Sequence, residues 1–152
     1  MEDMYSPDLT SEQEPDPADI RFLEERLHEF NVQATGISDG KLFGFFLRGA
    51  DGMVVGGADG WTWGGICYIR HLFVPAAMRK QGHGTRLMDR IEDEAKARRC
   101  EQFVLETHDF QAPEFYRKRG FILSGTVDAY PRGHQRFTFV KHVAAQKPPD
   151  GN

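Results

Sequence analysis

The chain is short of most features that would place it in a specialised class. Its 152 residues hold only two cysteines, Cys67 and Cys100, which form no Cys-x-x-Cys pair, so neither a disulfide framework nor a four-cysteine zinc site is available. Both are expected to be reduced core thiols. No run approaches the roughly 18 consecutive apolar residues of a membrane span, and no basic-then-apolar leader opens the chain; a cytoplasmic protein without membrane contacts is the expectation. Excess basic charge is also missing. The net charge is -4, whereas a nucleic-acid binder usually presents a basic face. Internal repeats and low-complexity blocks are absent.

What is present suffices for one globular domain. Hydrophobic residues make up 39%, and the 12 Phe, 4 Tyr and 2 Trp are spread along the chain, enough for a packed core. The acid is concentrated at the start: residues 1–30 carry ten acids against two bases, leaving the remainder net positive. That segment reads either as a solvated tail plus the outer face of a helix, or as an acidic rim that attracts cationic substrates. Residues 1–15 are expected to be a flexible acidic tail, residues 16–143 a single domain, and residues 144–152 a second flexible tail.

Periodicity supplies the elements. Asp16-Pro17 is a helix start, with a carboxylate at the cap and proline in the first turn, and Ile20, Leu23, Leu27 and Phe30 form an apolar stripe on a helix ending near Asn31. Lys41–Arg48 and Met53–Ala58 read as a hairpin about Asp51-Gly52, with Trp61-Thr-Trp a loop or strand end and Ile66–Val74 a third strand stopped by Pro75. Leu87, Met88, Ile91 and Ala95 mark an amphipathic helix over Thr85–Arg99, and Gln102–Thr107 follows as a strand expected to lie parallel to Ile66–Val74. A short helix, Ala112–Arg119, ends at Gly120, and two more strands, Phe121–Val127 and Arg136–His142, close the chain. The fold expected is α/β: a mixed, mostly antiparallel sheet with one βαβ crossover.

The most informative stretch runs from Leu72 through Arg79-Lys80-Gln81-Gly82-His83-Gly84-Thr85. Two glycines let a backbone approach a ligand closely, and the first amides of the following helix have no helical acceptors, so the turn suits phosphate, with Arg79 and Lys80 as cationic partners. An ordinary loop-to-helix turn would look similar. A Walker loop does not fit, because Gly84 is followed by Thr85-Arg86 rather than lysine. A dinucleotide fingerprint would need glycine where Leu87 stands, although Glu106 lies about 20 residues downstream as that fingerprint requires.

Arg79-x-x-Gly82-x-Gly84, after a strand ending Leu72-Phe73-Val74-Pro75, resembles the acetyl-CoA signature of the GNAT acetyltransferase superfamily. Ala112-Pro-Glu-Phe115-Tyr116, with Gly120-Phe121 after it, is similar to that superfamily's second mark, and the resemblance spans about residues 16–142. It implies that Arg79, Lys80, Gln81, Gly82, His83, Gly84 and Thr85 hold the pyrophosphate of acetyl-CoA. By the same resemblance the strand edge at Phe73 and Val74 pairs with the pantetheine arm, Asp109, Ala112 and Phe115 lie along the cofactor, and Tyr116 faces the sulfur. Asp109 stands where the superfamily often has Asn, which unsettles its cofactor contact.

Acetyl transfer to an amine needs a neutral amine, a polarised carbonyl and a proton for the leaving thiolate. Tyr116 is the acid candidate, a backbone N–H near Phe73 or Val74 the polarising group, and Glu106 and His71 the candidate bases. His71, Glu106, His108 and Asp109 also admit a metal reading, but no His-x-x-x-His or Cys pair supports one, and no metal is expected. Arg70, Asp128, Tyr130, Arg132 and His134 are placed to line an acceptor side, while Trp61 and Trp63 offer stacking surfaces to an acceptor or to a second subunit. The expected activity is acetyl-CoA-dependent N-acetylation of a primary amine on a small, cationic molecule, with a homodimer as a possible assembly. A protein N-terminal or lysine acetyltransferase, or a non-catalytic acyl-CoA-binding module, are the alternatives.

Overall fold

The computed structural model describes residues 6–143, so expectations for residues 1–5 and 144–152 lie outside it. The chain divides into two compact units between Ile37 and Ser38.

The first unit contains helix α1, Pro17–Thr35. Asp16 caps it as the sequence implies, accepting a hydrogen bond from the Ala18 amide at 2.9 Å. The helix passes Asn31 and stops where Gly36 takes a left-handed φ of 71° and its N–H bonds the Val32 carbonyl. Asn31 is not a breaker, and the stop signal is the glycine five residues later. The stripe of Ile20, Leu23, Leu27 and Phe30 is there, but each of these side chains is 43–66% exposed.

The second unit is the sheet and two helices. Its strands are β1 (Lys41–Arg48), β2 (Val54–Trp63), β3 (Ile66–Phe73), β4 (Gln102–His108), β5 (Ile122–Asp128) and β6 (Gln135–His142), with α2 (His83–Ala97) between β3 and β4 and α3 (Pro113–Lys118) between β4 and β5. The spatial order is β1-β2-β3-β4-β6-β5, and only β3 and β4 are parallel, so the expected mixed sheet with one βαβ crossover is what forms. β2 runs further than its hairpin reading, taking in Trp61 and Trp63, because Lys41 on β1 still has a partner at Thr62.

Alternation and helical spacing meet in one core. Cys67 and Ile69 on β3, Phe103 and Leu105 on β4, and Phe137 and Phe139 on β6 point to the face that receives Met88, Ile91 and Ala95 of α2. Both cysteines are free and buried, as expected, and burial pushes the Cys67 thiol up to about 12. Arg98, just past the end of α2, ties the helix to the first hairpin by donating to the carbonyls of Lys41 and Leu42 and to the Thr62 hydroxyl.

Phe139 is fully buried. Truncating it in Phe139→Ala should cost about 3–5 kcal/mol, read as a fall in the urea midpoint with little change in slope.

Candidate active site

The parallel pairing of β3 with β4 is short. It runs from Ile66 opposite Gln102 to Ile69 opposite Leu105 and then ends, although β3 continues to Phe73 and β4 to His108. Past that point the two strands face each other without pairing, leaving their main-chain groups on those edges open to an extended ligand. Phe73 and Val74, expected to serve a cofactor through their backbone, lie at this open end.

From it the chain enters a turn of one 3-10 helix, Ala76–Met78, and then the glycine segment. Lys80 and Gly82 both adopt left-handed φ, 60° and 82°, and Gly82 caps α2. The Arg86 N–H to Gly82 carbonyl bond opens the helical ladder, so the amides of Gly82, His83, Gly84 and Thr85 have no helical acceptor. Nothing lies within 4 Å of where a Gly82 side chain would begin. Open space, a row of unsatisfied N–H groups and the positive end of a 15-residue helix together suit a phosphate-bearing cofactor. Two side chains of the segment are spent on the turn itself: Arg79 Nε donates to the Val74 carbonyl at 3.1 Å, and Gln81 donates to the Ala77 carbonyl at 3.1 Å.

The second sequence mark is brought against the first. A Cβ on Gly84 would sit 3.4 Å from the Phe115 ring, so the first turn of α2 and helix α3 pack together there. Beside Phe115, Tyr116 is buried among Phe115, Phe121 and Phe139, and burial alone pushes its phenol up to about 12. It therefore stays protonated throughout the neutral range.

The polar candidates sort into three groups. Glu106, on the part of β4 beyond its pairing with β3, is held by Arg136 of β6 and by the Tyr68 hydroxyl at 3.1 Å, while Arg136 also reaches the Tyr130 hydroxyl at 2.9 Å. Burial first, then the Glu106 carboxylate, raise the Tyr68 phenol above its ordinary value. Asp109 is taken up by His134 Nδ1 at 3.1 Å, and stacking of His108 on Phe110, with Phe110 edge-on to His134, joins the loop after β4 to the β5–β6 turn. His71 stands apart from both groups and faces Asp59 of β2, with Nδ1 2.8 Å from Oδ1. The four residues weighed for a metal thus have separate partners, and among the described residues no three His, Cys, Asp or Glu are grouped to hold an ion.

Asp59 and Tyr68 were not singled out from sequence, and strict alternation along β3 conceals why His71 is available. Cys67 and Ile69 point into the core, but the next inward residue is Leu72, because Asp59 pairs with His71 and Gly60 with Ile69, leaving Arg70 as an extra residue. This bulge turns His71 outward, where its side chain is 73% exposed. Asp59 in turn receives two bonds from Arg70, at 2.6 and 3.1 Å. Burial works against its charge, but the hydrogen bonds from Arg70 and His71 prevail and hold its carboxyl below the usual value of 3.8.

The family model described as the acetyltransferase (GNAT) family matches residues 1–121. An acetyltransferase of Agrobacterium fabrum is 32% identical over 121 residues, covering 80% of this chain and 88% of the relative. A blasticidin-S acetyltransferase of Streptomyces morookaense is 34% identical over 109 residues, covering 68% and 76%. Among solved structures, an acetyltransferase from Bacillus cereus superposes with a TM-score of 0.72 at 25% identity, covering 88% of this chain and 98% of that one.

A folded-state carboxyl held below its unfolded value adds stability above that unfolded value, and the addition is lost as pH falls through the folded one. The stability gap between the native chain and Asp59→Asn should therefore be widest at neutral pH and shrink below about 3.8, the ordinary value. Urea midpoints at pH 7, 5 and 3 measure it; a gap independent of pH would contradict the ion cluster.

Proposed function

The chain belongs to the acetyltransferase (GNAT) family, and from that premise we propose that it moves the acetyl group of acetyl-CoA to a primary amine on a small molecule, by direct attack in a ternary complex. The observation that carries this reading is the join between the open end of β3 and the glycine turn: four pairs of parallel ladder, an unpaired strand edge, then free amides at the start of α2. A thioester arm hydrogen-bonds along the edge while its pyrophosphate is held by the amides of Gly82, His83, Gly84 and Thr85, with Arg79 and Lys80 supplying positive charge. Gln81 and Phe115 shape the same turn, and the reading keeps Ala112 and Asp109, the latter engaged by His134, along the cofactor.

In this reading a backbone N–H near Phe73 or Val74 polarises the acetyl carbonyl as it develops negative charge. The amine nitrogen forms its bond to the carbonyl carbon as the carbon–sulfur bond breaks, and the sulfur leaves with the electron pair. Tyr116, kept protonated by burial, gives it a proton. The ammonium form has no lone pair to attack with, so a base must first remove a proton, and His71 and Glu106 are the side chains near the open end that can do so. A relative that acetylates blasticidin-S supports a small-molecule acceptor over a protein one.

Calorimetric titration with acetyl-CoA, with NADH as control, tests the cofactor half. Gly82→Asp suits the test because aspartate tolerates a left-handed backbone better than most residues and the space around the position is open, so the variant adds a carboxylate to the anion site without a clash. Micromolar binding that Gly82→Asp abolishes is expected. Tyr116→Phe should keep acetyl-CoA affinity and lose roughly 10²-fold in kcat; full turnover would remove Tyr116 from the mechanism, and binding without turnover in the native chain would leave an acyl-CoA-binding module.

A further inference from the structure

Beside His71 lies an apolar groove of about 510 Å³, with Phe46, Val54, Val55 and Phe73 in its walls and Asp59 and His71 in its lining. Its position in the sheet matters. His71 is two residues past the last β3–β4 pair, so it borders the open end of β3 on one side, while its partner Asp59 lies on β2, on the groove side. One imidazole thus adjoins both the place where an acetyl group would be presented and a cavity able to hold the body of an acceptor.

The two candidate bases differ in what their partners leave free. Glu106 is engaged at one oxygen, Oε2, by both the Arg136 guanidinium and the Tyr68 hydroxyl, which crowd it. His71 is engaged at Nδ1 only. Because Asp59 is itself held ionised by Arg70, the hydrogen between Asp59 and His71 sits on the ring, so the neutral imidazole is the Nδ1–H tautomer and Nε2 keeps its lone pair. A base oriented by a carboxylate is the arrangement that activates nucleophiles in many transfer enzymes. The charged groups recorded around the ring are Asp59 on β2 and, through Asp59, Arg70 on β3.

We propose that His71 is the base and Asp59 its positioning residue, and that the groove beside them selects primary amines carried on an apolar body, as in an arylalkylamine, over extended polyamines. The proposal rests on the acetyltransferase reading above. His71 Nε2 takes one proton from the incoming ammonium, and the freed electron pair forms the carbon–nitrogen bond as the carbon–sulfur bond breaks. Tyr116 protonates the departing thiolate and is restored by the second proton that the nitrogen sheds on becoming an amide, and the ring returns its own proton to solvent. No oxidant, reductant or further reactant enters. Asp59 changes neither charge nor bonding in the cycle; it holds the ring in one orientation and one tautomer.

Nitrogen-15 NMR of the full chain, with His71 assigned through His71→Gln, tests the tautomer without any substrate. The native protein should show His71 as the Nδ1–H form at high pH, and Asp59→Ala should return it to the Nε2–H form preferred in water; an Nε2–H ring in the native protein overturns the proposal. Turnover is then followed as free thiol released from acetyl-CoA with phenethylamine and with spermidine as acceptors. Phenethylamine should be favoured at least tenfold in kcat/KM. His71→Gln should lower kcat about 10²-fold or more and Asp59→Asn about tenfold, each with acetyl-CoA affinity unchanged by calorimetry. Spermidine favoured over phenethylamine, no turnover of phenethylamine, or His71→Gln retaining kcat while Glu106→Gln loses it would each overturn the proposal. Failure of the native chain to bind acetyl-CoA would instead remove the acetyltransferase reading on which it stands.

Discussion

The rest of the site depends on a ladder that stops early. Two parallel strands that paired along their whole lengths would satisfy each other's main chain and leave nothing for a ligand. Here the pairing ends at Ile69 and Leu105, while β3 runs four residues further and β4 three. The strands beyond are held in place by other means: β3 by β2, and β4 by β6 along its full length, from Gln102 opposite His142 to His108 opposite Arg136. The opening is therefore rigid on both sides. The main-chain groups along this edge are left without strand partners, which is what the proposed cofactor arm would use.

Two devices adapt an ordinary α/β sheet to that opening. Left-handed residues at Lys80 and Gly82 bring the chain from β3 into α2 with its first amides exposed. The bulge at Arg70 turns the outer part of β3 so that His71 meets Asp59 rather than the core. One device works with backbone and is indifferent to most side chains; the other works with side chains alone. In the proposed reading, a site divided in this way keeps a common donor on its backbone half while the acceptor is decided by the residues of the other half.

The same division explains what could be read from the sequence. The glycine turn, the helix that follows it, the crossover and the Phe115-Tyr116 helix were legible, because glycine spacing and apolar periodicity are local signals. Stripe residues Met88, Ile91 and Ala95 are buried as their spacing implies. The end of α1 was misplaced by four residues because Asn31 looks like an ending and Gly36 is one. Asp59 could not be singled out, since in Gly-Gly-Ala-Asp-Gly it is one acid in a glycine-rich strand. Only the register against β3 makes it the partner of His71, and a bulge leaves no mark in alternation until burial is known: Leu72 is inward and His71 outward, the reverse of what counting by two from Ile69 would give.

Arg98 has a consequence of another kind. Its guanidinium bonds carbonyls at Lys41 and Leu42, 57 and 56 positions away along the chain, and the buried hydroxyl of Thr62. The end of α2 and the first rungs of the β1–β2 hairpin therefore share donors and acceptors. Lifting the end of the helix takes the guanidinium away from the hairpin, and fraying the hairpin leaves that guanidinium only Glu94 of its own helix. Segments linked in this way open together, so their amides should exchange with solvent as one cooperative unit, slower than the fraying of a free sheet edge. In a sheet whose central parallel pairing stops early, this bond ties the far end of α2 to the first hairpin.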